Sequence, residues 1–206
     1  VELVLVRHAL PVRVDAAAEG RVADPGLAAA GRAQADRLAA YLADEPVDAV
    51  WTSPLRRARQ TAAPLLAALG LTPVVADGLA EFDQHAGSYV PVEELRAAND
   101  ERWQLLARGE LYGAPDQLAG FRDRVVGAVE RAVRDHPGGR VVLVCHAGVI
   151  NAYVGHLLGI GRALWFAPAY TSITRVGAAR DGRRGVVSLN ETGHVRDLLR
   201  RPGSGG

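Results

Sequence analysis

Two segments of the sequence share one design. Leu3-Val4-Leu5-Val6-Arg7-His8-Ala9 and Val142-Leu143-Val144-Cys145-His146-Ala147-Gly148 each place a histidine just beyond a short apolar run. Such a run reads as a buried strand, so each histidine lies at the carboxyl edge of a sheet, where open α/β folds bind ligands. An imidazole there can attack, donate a hydrogen bond or carry a proton, although a single strand-end histidine is more often structural. A third segment, Ser53-Pro54-Leu55-Arg56-Arg57-Ala58-Arg59-Gln60-Thr61-Ala62, opens a helix and puts three arginines in its first turns. Helix amides and guanidinium groups both favour an anion; a bare arginine cluster is otherwise a solvated basic face. The fourth, Leu79-Ala80-Glu81-Phe82-Asp83, holds two carboxylates in a loop and taken alone is ordinary surface.

The hydrophobic pattern supplies a frame for these residues. Residues 1–6 form a nearly continuous apolar run, typical of a buried parallel strand. Leu27, Ala30, Ala35, Leu38, Ala39 and Leu42 recur with a helical period over 27–43, and 48–52 reads as a second strand. Ser53 as cap and Pro54 at the first helical position start a helix that runs to about Leu69 and stops at Gly70. Residues 72–76 make a third strand. From 78 to 120 the pattern loosens around one helix over 92–107, the form of a cap inserted over a site. A helix over 117–134 is stopped by His136-Pro137-Gly138-Gly139, followed by a strand over 140–145 and a helix over 149–158. Residues 171–176 and 185–189 flank Asp181-Gly182, a hairpin signal that the neighbouring arginines can lengthen. This order predicts an α/β fold, a three-layer α/β/α sandwich with a mostly parallel central sheet, an antiparallel edge strand and a short helical cap insertion over 82–120. A single domain then covers 1–200, and Arg201-Pro202-Gly203-Ser204-Gly205-Gly206 is a flexible tail.

Composition narrows the partners. With 206 residues, 49% hydrophobic and 23% charged, the chain can bury one sizeable core. A net charge of +1 argues against general attraction to nucleic acid or to an anionic membrane, so any phosphate affinity must be local. No apolar run approaches the roughly 20 residues that span a bilayer. The lone Cys145 rules out an intrachain disulfide and offers no thiol cluster for a metal. With a start, Val1-Glu2-Leu3, that lacks a basic signal-peptide head, a cytoplasmic location is expected.

Together and in this order, the motifs resemble the histidine phosphatase superfamily, the phosphoglycerate mutase-like clan. The resemblance covers most of the chain. It rests on Arg7-His8-Ala9 for the family's Arg-His-Gly, on Gly31-Arg32-Ala33-Gln34-Ala35 for its Gly-x-x-Gln-Ala helix, and on the run beginning at Ser53. Glu81, the second motif His146-Ala147 and the closing Leu189-Asn190-Glu191-Thr192-Gly193-His194 complete it. The resemblance implies that His8 is a nucleophile forming a phosphohistidine that water later cleaves, which splits one hard displacement into two easier ones. Arg7, Arg57 and His146 match the family's phosphate pocket beside His8, as a dianion needs several converging donors. Glu81 matches the general acid that protonates the leaving alkoxide and then activates water, a role suited to a raised pKa. Asp83 is near enough to compete, but its offset does not match. The resemblance further implies no metal and no cofactor, a phosphorylated small molecule as substrate and inorganic phosphate as product, and it leaves a homodimer open. His136, His156 and His194 read as structural and Cys145 as inert packing, whereas His85, near Glu81 in the cap, is a candidate for touching substrate.

The chain also departs from the family pattern. Ala9 and Ala147 stand where the family has glycine, and alanine is still small. After Ala9 the chain continues Leu10-Pro11-Val12-Arg13-Val14, where many mutases have Glu-Thr or Glu-Ser and then Trp-Asn, so the usual polar contacts of that loop are missing. This favours a hydrolysing phosphomonoesterase, with a cofactor-dependent phosphoglycerate mutase and a non-catalytic phospho-ligand-binding pseudoenzyme as the alternatives.

Overall fold

The computed structural model describes residues 1–16, 20–108 and 115–199. In chain order the elements are β1 (Glu2–Arg7), β2 (Val14–Asp15), α1 (Ala29–Leu42), β3 (Ala49–Thr52), α2 (Arg56–Leu69), β4 (Val74–Val75) and β5 (Ser88–Tyr89). There follow α3 (Val92–Ala97), α4 (Glu101–Arg108), α5 (Pro115–Asp135), β6 (Arg140–Cys145), α6 (Ala147–Leu158), β7 (Ile173–Ala178) and β8 (Arg184–Glu191). Six strands form one sheet in the order β4-β3-β6-β1-β7-β8, parallel from β4 to β1 and antiparallel from β1 to β8. The small β2–β5 pair stands apart.

The two central strands read as unbroken apolar runs because both of their faces are covered. On one face Leu3, Leu5, Trp51 and Leu143 pack against Val125 and Val129 of α5 and Val149 and Tyr153 of α6. On the other, Val4, Val6, Val50 and Val144 pack against Leu38 and Leu42 of α1 and Ala62 and Leu65 of α2. The expected α/β sandwich with a mostly parallel sheet and an antiparallel edge is therefore present. Its register decides the chemistry: Arg7 pairs with Cys145, so the residues that follow, His8 and His146, leave the sheet side by side.

Several expected elements take a different form. α2 starts at Arg56, and no side chain of its own segment caps it; the amide of Arg56 donates instead to Asp24 Oδ1 at 2.9 Å. Its far end stops as expected at Gly70, with a left-handed φ of 66°. The strand expected over 72–76 shrinks to Val74–Val75, an exposed edge that pairs with β3. The single helix expected over 92–107 is broken into α3 and α4, because Asn99 takes φ 48° and the Asp100 carboxylate accepts the Arg102 amide at 2.9 Å, restarting the helix. The expected hairpin at the antiparallel edge is present as β7 and β8, joined by a longer loop over 179–183 in which Ala179 N–H donates to Arg183 O at 2.9 Å. The tail over 201–206 and the cap stretch over 109–114 lie outside the described residues, in which no helix is long and apolar enough to cross a membrane.

The Gly-x-x-Gln motif of α1 has a clear job. Gln34 Oε1 accepts the amide of Leu10 at 2.9 Å, and a Cβ on Gly31 would lie 2.0 Å from Leu10 O. The helix thus clamps the turn that follows His8 through a backbone approach only glycine permits. Gly31→Ala is expected to lower the unfolding free energy in urea by about 1–3 kcal/mol, since the added methyl meets backbone that cannot swing away. Gly127→Ala in α5, where nothing lies within 4 Å of the added carbon, is the control and should be neutral or stabilising by up to about 1 kcal/mol.

Candidate active site

The site sits where β1, β3 and β6 end. His8 N–H donates to Cys145 O at 2.8 Å and Thr171 N–H donates to Arg7 O at 3.0 Å, so the backbone around His8 is held from both sides. The imidazole is buried, with Nδ1 at 2.8 Å from Ala9 O. A carbonyl can only accept, so Nδ1 carries the proton and Nε2 keeps its lone pair. Thr61 ties this turn to α2: it accepts the Ala9 amide at 2.9 Å and donates to Arg57 O at 2.7 Å. His146 is fully buried beside it, the two rings 5.0 Å apart centre to centre.

Arg7 and Arg57 are 3% and 1% exposed. Arg7 Nη1 donates to Pro168 O at 2.6 Å and to Glu93 Oε1 at 3.0 Å, and its guanidinium lies 3.8 Å over the ring of Tyr170. Arg57 Nη2 donates to Asp83 Oδ1 at 2.8 Å, with the group 4.7 Å over the ring of Tyr89. Arg7 Nε, Arg57 Nε and Arg57 Nη1 are buried without a hydrogen-bond partner among the described residues. Donors left open on two buried cations are costly unless an anion completes them. Glu81 accepts the amides of Phe82 at 2.9 Å and of Gly148 at 2.8 Å. A Cβ on Gly148 would lie 2.3 Å from Glu81 Oε1, so this glycine is what lets the carboxylate come close.

Arg7, His8, Arg57, Glu81 and Asp83 line a cavity of about 430 Å³ together with the apolar side chains of Phe82, Val90, Val92, Leu95 and Leu164. Among the described residues no three His, Cys, Asp or Glu side chains are grouped to hold a metal ion.

Electrostatics follow from burial under two positive charges. Burial first, then Arg57 and Arg7, lowers the pKa of His8; burial, Arg57 and His8 lower that of His146. Both effects favour the neutral imidazole. Glu81 moves the other way: burial, then the Asp83 carboxylate, raises its pKa against the two amides that favour its charged form. For Arg57, burial acts to lower the pKa, but Asp83 and its neighbours hold it above the ordinary value.

The five expected residues, Arg7, His8, Arg57, Glu81 and His146, come together. Asp83 joins them as the partner of Arg57 rather than as a second acid. His85 is exposed and lines the cavity. His136 accepts from Trp51 Nε1 at 3.1 Å, His194 pairs with Thr171 O at 3.0 Å and stacks on Tyr41, and His156 is exposed on α6. Arg56 and Arg59 are exposed, and burial pushes the Cys145 thiol up in pKa. Sequence reasoning missed Tyr89, Glu93 and Tyr170, which carry no motif, and read Ser53 as a helix cap, whereas Ser53 Oγ lies 2.8 Å from His146 Nε2.

Because His8 and His146 are held below the ordinary 6.5, the unfolded chain takes up protons there that the folded site refuses. Their contribution to stability is present above pH 6.5 and is lost as pH falls through the folded values. Urea unfolding should therefore show stability declining as the solution is acidified below 6.5, with a flatter decline in the His8→Gln, His146→Gln double variant. Asp83→Asn, which frees Arg57, should tighten binding of inorganic phosphate roughly 3- to 10-fold by calorimetry, the scale of one partly exposed ion pair.

The profile of the histidine phosphatase superfamily (branch 1) matches residues 3–192. Phosphoserine phosphatase 1 of Hydrogenobacter thermophilus is 29% identical over 202 residues, covering 96% of each chain. A mycobacterial glucosyl-3-phosphoglycerate phosphatase solved with VO3 superposes with a TM-score of 0.72 at 25% identity, over 92% of this chain and 98% of that one. The phosphoserine phosphatase of Entamoeba histolytica, solved with 3-phosphoglyceric acid, superposes with a TM-score of 0.73 at 21% identity over 94% and 98% and shares the fold. With a profile that spans nearly the whole sheet and every motif at its edge, the chain belongs to the histidine phosphatase superfamily, branch 1.

Proposed function

We propose that the protein is a phosphomonoesterase that works through a phosphohistidine on His8. The observation that carries this reading is a neutral His8, its Nδ1 proton held by Ala9 O, set among two buried guanidinium groups that still have open donors. A phosphoryl group completes those donors, and Arg7, Arg57 and His146 hold its oxygens. His8 Nε2 then attacks phosphorus while Glu81, whose pKa burial and Asp83 raise, gives its proton to the leaving alkoxide. In the second step Glu81 takes a proton from water, which attacks the phosphohistidine and releases inorganic phosphate. No step in this scheme calls on a metal or an organic cofactor.

Hydrolysis is favoured over transfer between two phosphorylation sites. Apart from Arg7, His8, Arg57, Glu81 and Asp83, the cavity is lined mainly by apolar side chains, and the Arg102 guanidinium that also lines it is held on both its Nε and Nη2 by Asp100, each at 2.9 Å. A second phosphate would find no comparable set of open cations among the described residues. The substrate is accordingly read as a small phosphorylated molecule with one phosphate and some apolar surface. The names of the relatives, a phosphoserine phosphatase and a glucosyl-3-phosphoglycerate phosphatase, support hydrolysis as well. A cytoplasmic setting belongs to the same reading and rests on the lone free thiol of Cys145.

Purified protein should hydrolyse p-nitrophenyl phosphate in the presence of EDTA, be inhibited by vanadate and lose the activity in His8→Ala. Undiminished turnover by that variant would refute the mechanism. Glu81→Gln should slow hydrolysis of an alkyl phosphate roughly 100- to 10,000-fold, the scale of a lost general acid, and slow p-nitrophenyl phosphate much less because that leaving group departs unprotonated. Equal losses on both substrates would move the proton donor elsewhere.

A further inference from the structure

The two histidines of the site are neutral rings at the same sheet edge, yet the chemistry asks different things of them. His8 must offer a lone pair and His146 an N–H. Their neighbours separate these tasks. His8 Nδ1 meets a carbonyl, Ala9 O, at 2.8 Å, so its proton is fixed on Nδ1. His146 instead meets a hydroxyl: its Nε2 lies 2.8 Å from Ser53 Oγ, and both residues are fully buried. A hydroxyl can give or accept, so the distance alone does not decide which tautomer forms.

The remaining contacts of Ser53 decide it. Leu55 N–H already donates to Ser53 Oγ at 3.2 Å, using one of its lone pairs. If His146 carried its proton on Nε2, Ser53 would accept twice and its own O–H, sealed from water, would have no acceptor among the contacts of the described residues. If Ser53 gives its proton to Nε2, the hydroxyl is satisfied as donor and acceptor, and the imidazole proton goes to Nδ1. That nitrogen is buried and has no hydrogen-bond partner among the described residues. Buried polar groups are almost always paired, which favours the second arrangement.

We infer that Ser53 is a positioning residue for the proposed phosphatase reaction: its hydroxyl donates to His146 Nε2 and so makes Nδ1–H of His146 a donor to the phosphoryl group. The same contact denies His146 the nucleophile's role, since Nε2 is occupied and Nδ1 holds the proton. The serine that opens the Ser-x-Leu-x-Arg run thus acts on the site through His146, whereas Arg57, the last residue of that pattern, enters it directly. The two ends of one short segment deliver a cation directly and a neutral donor through a neighbour. The mechanism part of this inference rests on the proposed function, but the tautomer can be read without any substrate.

The test is nitrogen NMR on protein labelled at histidine, with His146 assigned by its absence in His146→Gln. In the free wild-type protein at neutral pH, His146 should show a protonated-type shift at Nδ1 and an unprotonated one at Nε2. In Ser53→Ala the preference should collapse or reverse, kcat for an alkyl phosphate should fall about 10- to 100-fold with a smaller change in KM, and Ser53→Thr should restore both. The loss should stay below the roughly 100- to 1,000-fold expected when a donor is removed outright in His146→Ala. A wild-type His146 protonated at Nε2 would overturn the inference, even if Ser53→Ala failed to fold. A folded Ser53→Ala protein that keeps the Nδ1–H tautomer and full turnover would overturn it too. Failure of the phosphatase reading is a separate result, seen as undiminished turnover by His8→Ala while the His146 tautomer stays as assigned.

Discussion

Two buried guanidinium groups with too few acceptors set the terms for everything around them. Arg7 and Arg57 are almost wholly removed from water, and the protein supplies only part of the hydrogen bonding they could make. What it does supply comes from an unusual mixture: a backbone carbonyl at Pro168, carboxylates at Asp83 and Glu93, and the faces of Tyr170 and Tyr89. Aromatic faces attract cations without competing for their N–H groups, so the rings stabilise the charge while leaving its donors available. Burial, reinforced by the same positive field, explains why both histidines are neutral, whereas burial and the neighbouring Asp83 carboxylate make Glu81 hold its proton more readily than an exposed acid, against the pull of Arg57.

The scaffold keeps this charge from dispersing. Parallel pairing of β1 with β6 puts Arg7 and Cys145 in register, and the peptide groups beyond each of them remain bonded to neighbouring strands. Thr61 and Gln34 then fasten the turn after His8 to α2 and α1. The turn carries Ala9 and Leu10 in place of the glycine and polar residues familiar in this superfamily, and its position is maintained by backbone contacts that are indifferent to those side chains.

The sheet and the five polar positions were readable from sequence because local pattern and motif order coincide there. Leu3 to Val6 and Val141 to Cys145 are fully buried on both faces, and nothing in the tertiary structure contradicts what their composition suggests. The cap was less readable, since apolar periodicity over 92–107 runs straight across the point where Asn99 and Asp100 end one helix and start another. Tyr170 and Glu93 could not be found at all: one lies before β7 and the other in α3, and each becomes relevant only when the chain brings it against Arg7. Ser53 was visible but misread, because a serine before a proline and a helix is a common cap, and its partner His146 lies on a distant strand end.

Glu81 is joined to the N-terminus of α6 through the amide of Gly148, two residues past His146. The carboxyl group and the second imidazole therefore ride on one mount, although they come from separate parts of the chain. A small shift of α6 carries both in the same direction and leaves their spacing nearly unchanged. The cap residues beyond Phe82 have no such hydrogen bond to that helix turn among the described contacts, so the cap can vary while the Glu81–Gly148 contact stays as it is.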